Sequence, residues 1–87
     1  MKIRIHADNR ILSGTPVQVV QQMQDLAFAA QGLSLVEYTD WAAEMARNML
    51  GVDLELEGDT DTLRAASLVR AVLQAGLAHE LEEELVH

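Results

Sequence analysis

The stretch of this chain that most resembles a ligand-binding motif is a run of alternating acidic residues in its second half. Asp53, Glu55 and Glu57 stand at the first, third and fifth positions of the run, and Gly58 follows at the sixth, as in a calcium-binding loop. Such a loop also needs a bidentate glutamate at its twelfth position, where this chain has Arg64. We therefore interpret the acids as the outer face of a strand followed by a helix cap.

Two histidines and a glutamate near the end of the chain form a second ligand-like pattern. His79, Glu83 and His87 are spaced four residues apart, so on a helix they would share one face. That face would be exposed, because the leucines of such a helix lie on its opposite side. We predict no metal site and no cofactor, and retain a metal-binding protein as a weaker alternative. His6 is interpreted as a surface histidine.

Nothing in the sequence indicates a catalytic centre. The chain has no cysteine, which excludes thiolate chemistry and disulfides. Its serines have structural explanations: Ser13 ends a strand, Ser34 caps a helix and Ser67 lies on a polar helix face. All 14 acids can be placed on outer faces or in caps, whereas an acid–base pair needs one carboxyl in a desolvated pocket. We predict that the protein is not an enzyme.

The balance of charges limits the partners that the chain could have. Its 87 residues carry 14 acidic and 6 basic side chains, a formal charge of −8 that would repel a phosphate backbone. Lys2, Arg4 and Arg10 could form a small basic patch, but no aromatic residues interleave with them. Nucleic-acid binding is therefore disfavoured. A small acidic regulator acting on nucleic acid, or on a nucleic-acid-binding protein, is the alternative.

The hydropathy of the chain bears on its location. No apolar run approaches the roughly 20 residues of a membrane span. The N-terminus alternates charged and apolar residues, which is not the continuous apolar stretch of a signal peptide. We therefore expect a cytoplasmic protein that does not contact a membrane.

The periodicity of the apolar residues predicts the elements that position these groups. Three segments with alternating or short apolar patterns are predicted as strands: 2–6, 10–13 and 52–57. One helix is predicted from the cap at Thr15 to residue 30, and a second over 35–50 after the capping box that Ser34 begins. A third helix, capped by Asp59 or Thr60, should end near Gly76.

The end of the chain has a leucine pattern of its own. Leu77, Leu81 and Leu85 recur every four residues, but on a continuation of the third helix they would lie about 150° from its buried face. We therefore predict a break at Gly76 and a short separate helix over 77–86. So short a helix is unstable alone, so the tail 77–87 must pack on the domain or on another chain.

The charges on the strands predict the order of the sheet. The first strand directs basic residues outward and the strand at 52–57 directs acids outward, and opposite charges stabilise neighbouring strands. We predict a single α+β domain, residues 1–87, with a three-stranded sheet in the order 2-1-3. Three helices and a short C-terminal helix cover one face, giving the element order β-β-α-α-β-α-α.

Val17 and Phe28 point away from the predicted buried face of the first helix, and Trp41 lies at the edge of that of the second. These side chains could anchor a partner, and tryptophan is especially common in interfaces. They could equally pack under the tail helix. Our first hypothesis is a non-catalytic protein–protein interaction module that binds another protein or forms a homodimer. The expected interface residues are Val17, Phe28, Trp41, Leu77, Leu81 and Leu85.

Parts of the sequence resemble short bacterial proteins of unknown function. The matching features are Gly14-Thr15-Pro16 at a helix start, then Val19-Val20-x-x-Met23, then Tyr38-x-x-Trp41 on a second helix. The resemblance covers most of the chain. It implies no activity, and it assigns no functional residue.

Overall fold

The computed structural model describes residues 1–81, and its first and last strands meet in one sheet. Three α-helices and a short 3₁₀ turn at Phe28–Ala30 lie between the strands. In chain order the strands and α-helices are β1 Lys2–Ile5, β2 Arg10–Ser13, α1 Pro16–Leu26, α2 Leu35–Leu50, α3 Asp61–Gln74 and β3 Ala78–Glu80.

The three strands form an antiparallel sheet in the order β2-β1-β3, which confirms the predicted α+β fold with strand order 2-1-3. Ile3 of β1 is fully buried and lies opposite Leu12, whereas Arg4 lies opposite the half-exposed Ile11. Because successive side chains of a strand point to opposite faces, one face of the sheet meets the helices and the other is open. The core therefore lies between one sheet face and the helical layer.

The predicted helix starts are confirmed in detail. Thr15 forms a capping box with Gln18, and Pro16 takes the first helical position, where a missing N–H costs nothing. Ser34 forms the second capping box with Glu37, and the backbone N–H of Ser34 donates to that carboxylate, which lowers the pKa of Glu37. The caps follow from the local sequence alone, which explains why they could be predicted.

Helix α1 ends at Leu26, four residues earlier than the predicted end at residue 30. The backbone turns at Ala27, which has extended dihedral angles, and continues as the 3₁₀ turn. The Gln24 amide donates to the carbonyl oxygens of Ala30 and Leu33, at 2.9 and 2.7 Å. A side chain of the helix itself therefore satisfies the carbonyls of the turn that follows it.

The prediction of a third strand at 52–57 is wrong. Burial alternates there as expected, with Leu54 buried and its acidic neighbours exposed, but the segment makes no ladder with another strand. Instead it runs beside α3, where the Glu57 N–H donates to the Ser67 hydroxyl at 2.8 Å. Alternation reports that one side of a segment is buried. It does not reveal whether a strand or a helix covers that side.

The predicted helix over 77–86 is also wrong at its start, because Ala78–Glu80 is the third strand of the sheet. Ala78 pairs with Ile5 and is 3% exposed. The break predicted at Gly76 is a turn in which that glycine has φ +76°, which leads the chain from α3 into β3. The remainder of the predicted helix, Leu85 included, lies outside the described residues.

The position of β3 gives a test of the fold with two matched substitutions. Ala78→Asp would place a carboxylate in the core without a partner, so we expect unfolding free energy to fall by about 3 kcal/mol or more. Ala75→Asp introduces the same group at an exposed position just before the turn, and should cost less than about 1 kcal/mol. Urea denaturation followed by circular dichroism measures both. Equal costs would contradict the assignment of β3.

Candidate protein-binding groove

An open groove of about 680 Å³ lies between α1 and α2. Both helices pack on α3 but make few contacts with each other, which leaves a gap between them. Met23 and Leu26 of α1 line one side, while Val72 of α3 and Leu12 of β2 lie at the bottom. The helical layer of this small domain is therefore incomplete, and we call the gap the apolar groove.

The second wall of the apolar groove comes from the C-terminal half of α2. Met45, Met49 and Leu50 line it, and Met49 and Leu50 are 72% and 59% exposed. Methionine is flexible and polarisable, so it adapts to irregular apolar partners. Exposed apolar residues that adjoin one another in this way are typical of interaction surfaces.

One aromatic ring lines the groove and a second aromatic ring stacks on it. Tyr38 lines it and stacks on Trp41, with ring centroids 5.8 Å apart and planes inclined by 29°. Tyr38 is 5% exposed, and its burial raises the pKa of its hydroxyl to about 12. Trp41, the chain's single tryptophan, is half-buried beside it and therefore reports on this region of the molecule.

The structure places the expected interface residues at several separate positions. Leu77 lines the apolar groove. Trp41 does not line it, but stacks on Tyr38, which does. Phe28 is 90% exposed on the 3₁₀ turn, two residues beyond the groove residue Leu26. The other two described ones, Val17 and Leu81, are half-buried, and Leu85 lies outside the described residues.

The groove residues that are not among the expected interface residues lie on the apolar faces of α1 and α2, which helical periodicity predicts as the buried sides of these helices. Met23 and Leu26 extend the apolar stripe of α1, and Met45 and Met49 extend that of α2. The apolar face of each helix extends beyond the part that neighbouring elements cover. The sequence carried one signal of this: three of the chain's four methionines fall in the C-terminal halves of α1 and α2, and all three line the groove.

Two of the three calcium-like acids form separate ion pairs, and the three do not form a cluster. Asp53 accepts from the Nε of Arg47 at 2.9 Å, and Glu57 lies 3.5 Å from the Nη1 of Arg70. Within residues 1–81, no three histidine or acidic side chains are grouped as metal ligands would be. Arg64, at the position that rules out the calcium loop, pairs with Asp40 at 3.3 Å.

The basic residues of the N-terminal hairpin do not act as one patch. Arg10 pairs with Asp8 at 3.1 Å across the turn between β1 and β2. Lys2 and Arg4 alternate with the buried Ile3 and so lie on the open face of the sheet. The acids expected to neutralise them lie elsewhere, because the segment 52–57 is not a neighbouring strand.

Comparison with protein-family models, with curated proteins and with solved structures finds no match to this chain. The resemblance to short bacterial proteins therefore stays a prediction. Within the described residues, no helix is long and apolar enough to cross a membrane. The proposal for the function therefore rests on the geometry of the apolar groove.

The buried tyrosine gives a pH-dependent test of this region. Tyr38 is the only tyrosine, so its ionisation can be followed directly by ultraviolet absorbance. We expect it to ionise near pH 12 in the folded protein, against about 10 in an unfolded chain.

The sign of the effect on stability follows from these two values. Below pH 10 both states keep the proton, and the full stability is present. Between pH 10 and 12 the unfolded chain ionises first, so the unfolding free energy should fall by up to about 2–3 kcal/mol. Tyr38→Phe should remove this part of the pH dependence. A tyrosine that ionises near pH 10 in the folded protein would contradict the burial.

Proposed function

We propose that the protein is a non-catalytic interaction module, and that its apolar groove binds the apolar face of a basic amphipathic helix of another protein. The observation that carries the proposal is the groove itself, with exposed Met49 and Leu50 along its rim. Such grooves bind amphipathic helices through apolar anchors spaced three and four residues apart.

The shape of the groove favours a helix as the occupant. It lies between two helices that both pack on α3 but barely contact each other, so a helix bound there would complete the helical layer. A small molecule inside the groove would leave Met49 and Leu50 largely in water, because they lie on the rim. A helix laid along the groove would cover both, which removes more apolar surface from water.

The charge of the chain favours a basic partner. A protein with a formal charge of −8 attracts positively charged segments at long range and repels acidic ones, including a second copy of itself. Apolar anchors would supply the affinity, and lysine or arginine on the outer face of the partner helix would speed association. The methionine side chains suit a partner whose apolar face is irregular.

The experiment uses a model peptide as the probe. A helical peptide of leucine and lysine with one apolar face should bind and change the fluorescence of Trp41. A scrambled peptide of the same composition, and a leucine–glutamate peptide with the same apolar face, should bind at least about tenfold more weakly, a difference of about 1.4 kcal/mol.

Matched variants locate the binding surface. The double substitution Met49→Gln and Leu50→Gln should weaken binding of the leucine–lysine peptide about tenfold. Leu63→Gln changes an apolar residue of similar exposure that does not line the groove, and should leave binding unchanged. Equal effects of the two, or no binding by the unaltered protein, would overturn the proposal. A dimer in sedimentation that the double substitution dissociates would make a second copy the occupant.

Truncation of the tail cannot replace these variants. Deleting residues 77–87 would remove β3 and with it the buried Ala78. The loss of binding would then follow from unfolding, whichever surface binds the partner. Point substitutions on the groove rim avoid this, because both residues are exposed.

A further inference from the structure

Two histidines that are far apart in the sequence meet at the end of the β1–β3 pair. The Nε2 atom of His6 lies 2.7 Å from the Nδ1 atom of His79, and the ring centroids are 5.0 Å apart. Both residues are exposed to solvent. They meet because the His6 N–H donates to the carbonyl of Leu77 at 3.0 Å, which continues the pairing beyond Ile5.

The environment of His6 determines which of its nitrogens is available. Its Nδ1 atom lies 2.9 Å from the carbonyl oxygen of Gly76, and a carbonyl can only accept a hydrogen bond. Nδ1 must therefore carry the proton, so the neutral ring presents an unprotonated Nε2 toward His79. Metal-binding histidines are oriented in this way, with one nitrogen donating to a backbone carbonyl and the other binding the metal.

The Nδ1 atom of His79 lies against this Nε2 atom of His6. At 2.7 Å the two nitrogens are hydrogen-bonded, so in the neutral pair the Nδ1–H of His79 donates to the Nε2 atom of His6. When His79 instead carries its proton on Nε2, both nitrogens present lone pairs to the same point, and a cation there replaces the hydrogen bond with two metal–nitrogen bonds. Bonds of about 2.0–2.1 Å at a tetrahedral angle separate two nitrogens by about 3.3 Å, so the rings need to part by only about 0.6 Å.

We infer that His6 and His79 form a two-histidine binding site for a divalent transition-metal ion. Imidazole ligands suit Zn²⁺, Ni²⁺ and Cu²⁺, and Cu²⁺ should bind most tightly of the three. No third histidine or acidic side chain of residues 1–81 joins the pair, so water completes the coordination. This inference does not depend on the partner proposed for the apolar groove.

The position of the site links metal binding to folding. The two ligands are 73 residues apart in sequence and come together only when β3 pairs with β1. An ion that binds the folded state and not the unfolded chain must stabilise the fold. Metal should therefore raise the urea midpoint of the full chain, and the rise should disappear when either ligand is removed.

The experiment is a calorimetric titration of the full chain with Zn²⁺ and Cu²⁺, with each of the three histidines replaced in turn. His6→Ala and His79→Ala should each weaken binding by tenfold or more. His87→Ala is the matched control and should leave the affinity unchanged. Urea denaturation with and without Zn²⁺ should show a rise in midpoint for the unaltered chain and for His87→Ala, but not for His6→Ala.

The same variants identify the results that would overturn the inference. If His87→Ala weakens binding and His6→Ala does not, the ligands are those of the C-terminal pattern His79, Glu83 and His87. The absence of binding to the folded, unaltered chain would refute any histidine site. Circular dichroism of each variant separates loss of the ligand from loss of the fold, and a variant that fails to fold is replaced by the corresponding histidine-to-glutamine change.

Discussion

The antiparallel pairing of β3 with β1 is the interaction on which the rest of this structure depends. It turns β1 from one arm of a two-stranded hairpin, which is marginal in water, into the central strand of a sheet. Two further backbone hydrogen bonds extend the pairing at its ends: the His6 N–H donates to the Leu77 carbonyl, and the Leu81 N–H donates to the Lys2 carbonyl. It also adds Ala78 to the core, and so connects the two ends of the described chain.

The two proposed sites are both consequences of this pairing. The turn at Gly76 that leads into β3 places Leu77 at the edge of the apolar groove. The next residue but one, His79, faces outward and meets His6 across the strand pair. His6 itself lines the groove, so the two proposed sites adjoin although they use different chemistry: apolar contact in one and imidazole nitrogens in the other.

Ion pairs neutralise most of the arginines in the described part of the chain. Arg10, Arg47, Arg64 and Arg70 are each paired with an acid. The chain as a whole carries a formal charge of −8, and Asp8 but no lysine or arginine lines the apolar groove. A surface with this combination repels phosphate and attracts basic segments that carry an apolar face.

The local signals in the sequence predicted much of the fold. Capping residues such as Thr15 and Ser34 act on backbone groups within three positions, so their effect can be inferred without tertiary contacts. The β1–β2 hairpin and the three helices follow in the same way from short-range periodicity. The candidate groove was not predictable to the same extent, because Met45 and Met49 continue a helical stripe that looks buried until the packing of its neighbours is known.

The sequence by itself determined the class of fold, the helix starts, the β1–β2 hairpin and the side of each segment that is buried. Tertiary structure alone decided which segment became the third strand. The segment 52–57 had the stronger alternation, yet it packs beside α3, while Ala78–Glu80 takes the place beside β1. The physical reason is that periodicity encodes burial, whereas pairing depends on backbone hydrogen bonds that any residue except proline can make. The meeting of His6 with His79 follows from that pairing, which is why sequence spacing did not predict it.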